Sequence, residues 1–213
     1  MGRPRLHGQQ TRLALLDAAE KLIARGGLEA VSVRAVAHEI GVSVRAVYSL
    51  FGSKDGLIRG LALRGFELLM EQVDSTPITS HPDRDLVNAA LKGFRPFALE
   101  HPDLFQLIFV GTGIDLGPTA GAASALAFSR LAQRLERARE AGFTPDRPIS
   151  DLGLEFHVLC QGLAGFELGR LMPLGLADRM WTDTLNDLLA GWRSQAKSSS
   201  PQPPSGRKRR QSN

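Results

Sequence analysis

The sequence predicts an all-α protein. Apolar residues recur at three- and four-residue spacing along most of the 213 residues, which is the periodicity of amphipathic helices. Alternating apolar and polar runs, which are typical of half-buried strands, are nearly absent. With 43% hydrophobic residues, the chain is long enough to bury one sizeable core or two smaller ones. These observations predict a small N-terminal unit and a larger helical body, about nine helices in all.

Three helices are predicted in the N-terminal unit. Glycine favours the left-handed conformation that ends a helix, and Gly26-Gly27 and Gly41 stand where the first two apolar patterns stop. Serine accepts a hydrogen bond from the backbone at a helix start, and Ser32 and Ser43 precede the second and third patterns. The three predicted helices are Gln10 to Arg25, Ser32 to Ile40 and Val44 to Phe51.

Six further helices are predicted in the body, and the first of them follows the cap residue Ser53. Pro102 suits the first position of another, because its missing N–H would be unpaired there in any case. The glycine-rich stretch Gly111 to Thr119 is predicted to be a loop. The six helices are Ser53 to Val73, Asp83 to Glu100, Pro102 to Val110, Gly121 to Ala141, Ser150 to Leu171 and Ala177 to Ala196.

The predicted organisation has four parts. They are a flexible basic arm over 1–9, the N-terminal unit over 10–60, the body over 61–196 and a disordered basic tail over 197–213. Charge is divided in the same way: residues 1–60 carry nine Lys or Arg against five acids, 61–196 carry twelve against seventeen, and 197–213 carry five against none. Basic ends on an acidic body favour a polyanionic partner, although ordinary solvated surface explains this distribution about as well.

The composition disfavours several classes of protein. Apolar stretches fall well short of the roughly 20 residues that span a membrane, and no signal peptide is visible, so a cytoplasmic protein is expected. The single cysteine, Cys160, lies in an apolar run and is predicted to be a packed thiol rather than a nucleophile. The five histidines are scattered, so neither a metal nor another cofactor is expected. Catalytic residues in a recognisable context are lacking, and an enzyme is not expected.

Gly41-Val42-Ser43 joins two short predicted helices in the manner of a helix-turn-helix. The glycine permits a sharp turn, Val42 can fill the space between the helices, and Ser43 starts the second one. A helix this short fits the major groove of DNA, about 12 Å wide, with its N-terminal residues at the base edges. The sequence therefore predicts that the N-terminal unit binds double-stranded DNA.

The region from about Thr11 to Leu61 resembles the tetracycline-repressor (TetR) family of transcriptional regulators. The positions that agree with the family pattern, without a gap, are Ala18-Ala19, Gly26-Gly27, Ser32-Val33, Ala37, Gly41-Val42-Ser43, Tyr48, Phe51, Lys54 and Leu57. The resemblance implies an N-terminal three-helix DNA-binding domain and a C-terminal helical domain for ligand binding and dimerisation. It implies a homodimeric repressor that a small apolar or amphipathic ligand releases from a palindromic operator. The alternative is a DNA-binding regulator or architectural protein that answers to no ligand.

The resemblance also implies roles for individual side chains. Arg45, Val44 and Ala46 fall at the start of the recognition helix, where arginine can bind guanine and the apolar pair can contact a thymine methyl group. Leu50 replaces the polar residue common at its position, so one phosphate contact of the family is not expected. The remaining candidates are Ser32, Arg34, Ser43, Tyr48 and Lys54 for phosphates, and Arg3 and Arg5 for the minor groove.

The last two helices are predicted to pair two subunits into a four-helix bundle, with the alternative that they complete the core of a monomer. The predicted interface residues are Phe156, Leu159, Leu163, Phe166, Trp181, Leu185, Leu188 and Trp192. Aromatic and large apolar side chains of the body could line a ligand pocket, with core packing as the alternative. The predicted pocket residues are Phe66, Met70, Phe94, Phe97, Phe105, Ile108, Phe109 and Phe128.

The segment from His101 to Phe105 resembles part of one TetR subgroup, whose C-terminal domain also carries a Trp-x-x-x-His-Gly run. Here the corresponding stretch, His157 to Gly162, lacks that pattern. The subgroup resemblance is therefore loose and assigns no ligand-binding residue.

Overall fold

The computed structural model describes residues 4–110, 115–173 and 175–199, with the side chains of 8–110, 115–173 and 175–198. Within these ranges the chain contains helices and no strand, so the predicted all-α fold is confirmed. Residues 111–114, which belong to the predicted loop, and the predicted tail from residue 200 onward lie outside the described residues.

The N-terminal unit consists of three α-helices and a short 3-10 turn at Leu28–Ala30. The three helices are α1 (Pro4–Gly26), α2 (Val33–Glu39) and α3 (Val44–Phe51). Their common core is fully buried and includes Leu15, Ala19, Val36 and Val47. Because α1 already begins at Pro4, residues 4–9 of the predicted flexible arm are helical in the structure.

Seven α-helices follow in the body. They are α4 (Lys54–Asp74), α5 (Pro82–Ala89), α6 (Arg95–Glu100), α7 (Pro102–Phe105), α8 (Gly117–Glu140), α9 (Ile149–Leu168) and α10 (Ala177–Ser199). A π turn, Ala90–Phe94, joins α5 to α6 in one continuous rod, and a second π turn, Gln106–Val110, extends α7. Counting the α5–α6 rod once gives nine helices in the described residues, which agrees with the number predicted from the sequence.

Among the boundaries in the body that differ from the prediction are the start of α8 and the end of α10. Helix α8 begins at Gly117, so Gly117 to Thr119 belong to a helix and not to the predicted loop. Pro118 occupies one of the first two helical positions, where a missing N–H is tolerated. Helix α10 continues to Ser199, so the start of the predicted tail, from Lys197, is also helical.

A buried polar cluster fixes the start of α5 against α8. The carboxylate of fully buried Asp85 accepts hydrogen bonds from Thr79 N (2.7 Å), Thr79 Oγ1 (2.8 Å) and Arg137 Nη1 (2.9 Å). Burial by itself would raise the pKa of Asp85, but these hydrogen bonds outweigh it and hold the pKa below its usual range. The turn between α4 and α5 is thereby tied to α8.

Candidate nucleic-acid interface

Helix α3 is fixed at both ends and along its inner face. Ser43 Oγ accepts a hydrogen bond from Ala46 N (3.2 Å), as the predicted N-cap should. Gly52 ends the helix with a positive φ of 73°, a conformation that strongly favours glycine. Val47 is fully buried, and Val42 packs at the edge of the core. The helix is therefore held rigidly while its other face stays free.

The outward face of α3 carries the side chains predicted to contact bases. Val44 and Arg45 lie exposed at the first turn, and Ala46 is half-buried beside them. Tyr48 is 51% exposed, which excludes a purely internal packing role. Eight helical residues span about 12 Å, so a duplex groove can accommodate the whole helix.

Four of the five predicted phosphate-contacting residues lie at helix starts around α3, and the fifth, Tyr48, lies within α3 itself. Ser32 Oγ accepts a hydrogen bond from Ala35 N (3.1 Å), so Ser32 and Ser43 both cap helices whatever else they contact. Arg34 is exposed in the first turn of α2, and Lys54 is exposed at the first position of α4. Arg3 and the side chain of Arg5 lie outside the described residues.

One structural residue of this unit escaped the sequence reasoning. The guanidinium of Arg12 on α1 lies 4.7 Å from the ring centre of Phe51 and donates a hydrogen bond to the carbonyl oxygen of Leu50 (3.5 Å). These contacts tie α1 to the C-terminal end of α3. The half-buried side chain of Leu50 packs against the hydrophobic core, in keeping with its apolar character.

Helix α4 connects this surface to the body. Its first turns, through Leu57 and Ile58, belong to the core of the N-terminal unit, whereas Phe66 and Leu69 reach the interior of the body. Between these two regions, Arg64 on α4 forms an ion pair with Asp17 on α1 (2.7 Å). The N-terminal unit and the body therefore share one helix.

A second tie joins α1 directly to the body. His101 Nδ1 lies 2.8 Å from Glu20 Oε1, and the other carboxylate oxygen of Glu20, Oε2, lies 3.8 Å from Arg64 Nε. Asp103, in the first turn of α7, faces this group, and burial together with Glu20 raises its pKa. The segment around His101, which resembles part of a TetR subgroup, thus contacts the N-terminal unit.

The body contains an apolar pocket of about 120 Å³ between α4, the α5–α6 rod, α8 and α9. Five of the eight predicted pocket residues line it: Phe66, Met70, Phe94, Phe109 and Phe128. The other three do not line it. Phe97 and Phe105 are fully buried in the core, and Ile108 packs against Gly65.

Both π turns contribute an aromatic ring to this pocket. Phe94 and Phe109 have ring centres 5.6 Å apart, and His157 lies against both, 5.8 and 4.9 Å away. Gln161 Nε2 donates a hydrogen bond to the carbonyl oxygen of Phe109 (2.9 Å), which stabilises the irregular turn. Burial lowers the pKa of His157, so the imidazole is neutral at physiological pH. Such π turns frequently occur at functional sites.

The sequence reasoning missed the polar part of the pocket wall. Arg130, Arg134 and His157 line it together with the aromatic rings. Cys160 lines it as well, and burial raises the pKa of its thiol, in keeping with a packed and unreactive group.

The predicted dimer residues divide into two groups. Phe156, Trp181, Leu185 and Trp192 are buried in the core of their own chain, so their assignment to an interface is wrong. Leu163 is also buried, whereas Leu159 and Leu188 are half-buried and Phe166 is 56% exposed. The apolar surface that is free lies on another stripe of α9, formed by Leu154, Val158, Gly162, Gly165 and Phe166.

None of the described helices combines the length and apolar character needed to cross a membrane. In the same residues, His, Cys, Asp and Glu side chains form no group able to hold a metal ion.

A three-helix reading unit, joined by a shared helix to a body with a pocket, defines the class of helix-turn-helix regulators. A model of the bacterial regulatory proteins of the tetR family matches residues 15–61, and a model of the tetracyclin repressor-like C-terminal domain matches residues 87–188. The chain belongs to the TetR family of transcriptional regulators. Its matched relatives are regulators, not enzymes.

Two curated relatives share part of the sequence. The chain is 32% identical over 115 residues to the HTH-type transcriptional regulator AlkX of Mycobacterium tuberculosis, covering 46% of this chain and 52% of that protein. It is 41% identical over 66 residues to the HTH-type nicotine-responsive transcriptional repressor HdnoR of Paenarthrobacter nicotinovorans, covering 31% and 32%. The matches therefore span about half and about a third of the length of these relatives.

The fold of this chain is similar to that of a solved structure over nearly the whole length of the latter. A protein with unknown function from Rhodococcus sp. RHA1 superposes with a TM-score of 0.74 at 23% identity, covering 85% of this chain and 95% of that one. This likeness concerns the fold alone.

Proposed function

We propose that this chain is a homodimeric repressor that acts in the cytoplasm, reads a palindromic operator with two copies of α3, and is released by a small ligand. The geometry of α3 is the observation that carries the DNA-binding part. Its start presents Val44 and Arg45 to solvent while fully buried Val47 holds the helix in place. Exposed side chains on a rigid short helix are what direct readout of the major groove requires.

The free apolar stripe on α9 supports pairing with a second copy. Leu154, Val158 and Phe166 are each more than half exposed, at 58%, 57% and 56%. Gly162 and Gly165 lie between them, and a Cβ atom added at either would meet nothing within 4 Å. Small residues flanked by large apolar ones permit close approach of a partner helix, and a twofold pair places two reading helices on two half-sites.

The pocket supports release by a ligand. It is bounded by α4, which also carries Lys54 at the DNA surface, so occupancy can alter the position of the reading unit. A ligand shifts this equilibrium only through different affinities for the DNA-bound and released states. The relative HdnoR is named as nicotine-responsive, which supports ligand control in this chain without identifying the ligand.

The test is selection of bound fragments from host genomic DNA by the purified full-length chain, followed by gel-shift titration of the recovered sequences. We expect an inverted repeat with half-sites about one helical turn apart. Recovery of bent DNA without a common sequence would favour an architectural protein instead. Failure to bind any duplex at low salt would overturn the proposal.

A further inference from the structure

Three arginines of α8 face the turn after α4, and only two of them have a counter-ion. Arg130 Nε lies 3.2 Å from Asp74 Oδ2, and Arg137 Nη1 lies 2.9 Å from Asp85 Oδ2. Arg134, between them, forms no ion pair within the described part of the chain. The two nearby carboxylates are each bound to a neighbouring arginine, so the middle guanidinium is left over.

Arg134 is buried, and its hydrogen-bonding capacity is only partly used. The residue is 4% exposed. Its Nη2 donates to Val73 O (3.0 Å), Thr76 O (3.2 Å) and Thr76 Oγ1 (2.8 Å), all neutral acceptors. Its Nη1 is buried without a hydrogen-bond partner among the described residues. A buried cation with neither a counter-ion nor a full set of acceptors is destabilising until an anion joins it.

The same arginine lines the apolar pocket. The wall around it consists chiefly of hydrocarbon and aromatic groups, among them Phe66, Phe94 and Phe128. Burial lowers the pKa of Arg134, and Asp85 and Asp74 oppose that effect, so the guanidinium remains a cation at neutral pH. The pocket thus combines one unpaired charge with an apolar interior.

We propose that the pocket binds a small organic carboxylate, with its apolar body among the phenylalanine rings and its carboxylate on the guanidinium of Arg134, whose Nη1 has no hydrogen-bond partner among the described residues. A guanidinium matches the planar geometry of a carboxylate, and such charge-assisted hydrogen bonds are the strong ones. A pocket of about 120 Å³ is close to the roughly 150 Å³ cavity that holds one benzene molecule. The expected body is therefore a single ring or a short alkyl chain.

This inference deepens the proposed ligand control, because the carboxylate would be the releasing ligand. It is tested by calorimetry on the full-length chain with phenylacetate and pentanoate, each paired with its neutral amide of nearly the same shape. We expect one or both acids to bind, and each binding acid to exceed its amide by roughly 10- to 100-fold in affinity. Equal affinities of acid and amide, or no binding of either acid, would overturn the assignment.

Arg134→Met is the matching variant, because it removes the charge and keeps most of the volume. We expect it to reduce the affinity for the acid to that for the amide. Arg134→Lys, which keeps a cation, should retain part of the preference. Arg179→Met, at an arginine whose side chain is 73% exposed on α10, is the control and should bind the acid like the unaltered chain. An unchanged preference in Arg134→Met would overturn the role of this residue.

Should Arg134→Met fail to fold, the comparison of acid with amide on the unaltered chain still decides the proposal. Duplex DNA binding, measured on the same protein samples, distinguishes failure of the carboxylate assignment from failure of the proposed function. If the acids fail to bind while DNA binding persists, only the carboxylate assignment is lost. Failure of DNA binding removes the proposed function itself, whatever the acids do.

Discussion

At the scale of single residues, Arg45 and Lys54 are both exposed cations of the proposed DNA surface, yet they can contact different parts of a duplex. Arg45 lies in the first turn of the reading helix α3, where guanine acceptors come within reach. Lys54 lies at the start of α4, outside the reading helix, and is placed for the phosphate backbone. Substitutions of Arg45 and of Lys54 should therefore weaken DNA binding in distinguishable ways.

We expect Arg45→Ala to relax base preference at one operator position, with a loss of about 1–3 kcal/mol on the preferred sequence only. Lys54→Ala should weaken all duplexes alike and reduce the slope of log affinity against log salt by about one unit. Gel shifts on specific and scrambled duplexes at several salt concentrations measure both effects. Arg179→Ala, remote from the reading unit, is the control. An equal loss on every duplex for Arg45→Ala would contradict its base-reading role.

The residues of the DNA surface could be predicted because short-range rules govern them. Ser43 and Gly52 bound α3 through local hydrogen bonding and backbone conformation, and these two signals are visible in the sequence. Arg134 could not be found in that way, because an arginine on a helix reads as a solvated side chain. Its burial depends on α4 and the turn after it, far away in sequence. One signal was available: Arg130, Arg134 and Arg137 share one face of α8 with small alanines.

At the scale of elements, the contact between α4 and the π turn of the α5–α6 rod is unusually close. A Cβ atom added at Gly93 would lie 2.8 Å from Val73 Cα, so a backbone would have to move. Gly121 on α8 offers the opposite case, since a Cβ atom there would meet nothing within 4 Å. Both glycines are helical, so intrinsic propensity alone favours alanine at each.

We expect Gly93→Ala to lower the free energy of unfolding by about 1–3 kcal/mol, because overpacking outweighs the gain in propensity. Gly121→Ala, the matched control, should raise it by about 0.4–1 kcal/mol. Denaturant titration followed by circular dichroism measures both changes. Stabilisation of the chain by Gly93→Ala would show that α4 and the rod do not meet as described.

The π turns themselves could not be predicted from the sequence. Apolar spacing over Asp83 to Glu100 and Pro102 to Val110 indicated helices at the right places, and both are present. A single widened turn shifts the helical phase of the side chains by only one residue. Whether such a turn forms depends on tertiary contacts, such as the hydrogen bond from Gln161 to Phe109. Of the eight predicted pocket residues, five line the pocket and three do not.

At the scale of the whole molecule, assembly depends on which stripe of α9 stays free. Helix α9 is apolar on more than one side, so the sequence could not show which side faces its own core. Trp181 and Trp192 on α10 fill that core, and the ring of Phe156 is buried there against Trp192. The stripe through Val158, which includes the predicted residue Phe166, is left for a partner. Phe156, Trp181 and Trp192 are buried in the core of their own chain.

We expect Val158→Glu to convert the dimer into a monomer and to abolish tight operator binding, because a buried unpaired carboxylate is costly at an apolar contact. Light scattering coupled to size-exclusion chromatography measures the mass, and gel shifts measure operator binding. Leu126→Glu, at an exposed leucine on α8, is the matched control and should remain dimeric. A dimer that survives Val158→Glu would place the interface elsewhere.

The shared helix α4 has a mechanical consequence for the dimer. Its 21 residues form a rigid rod of about 30 Å, anchored at one end beside Phe66 and Leu69 and at the other beside the reading head. If this helix tilts by about 5° about its end in the body, its other end, at the N-terminal unit, moves by roughly 2.5 Å. That travel approaches the 3.4 Å rise between stacked base pairs, and twofold symmetry applies it to both heads. A molecule no larger than one aromatic ring could thus move both heads out of register with the operator.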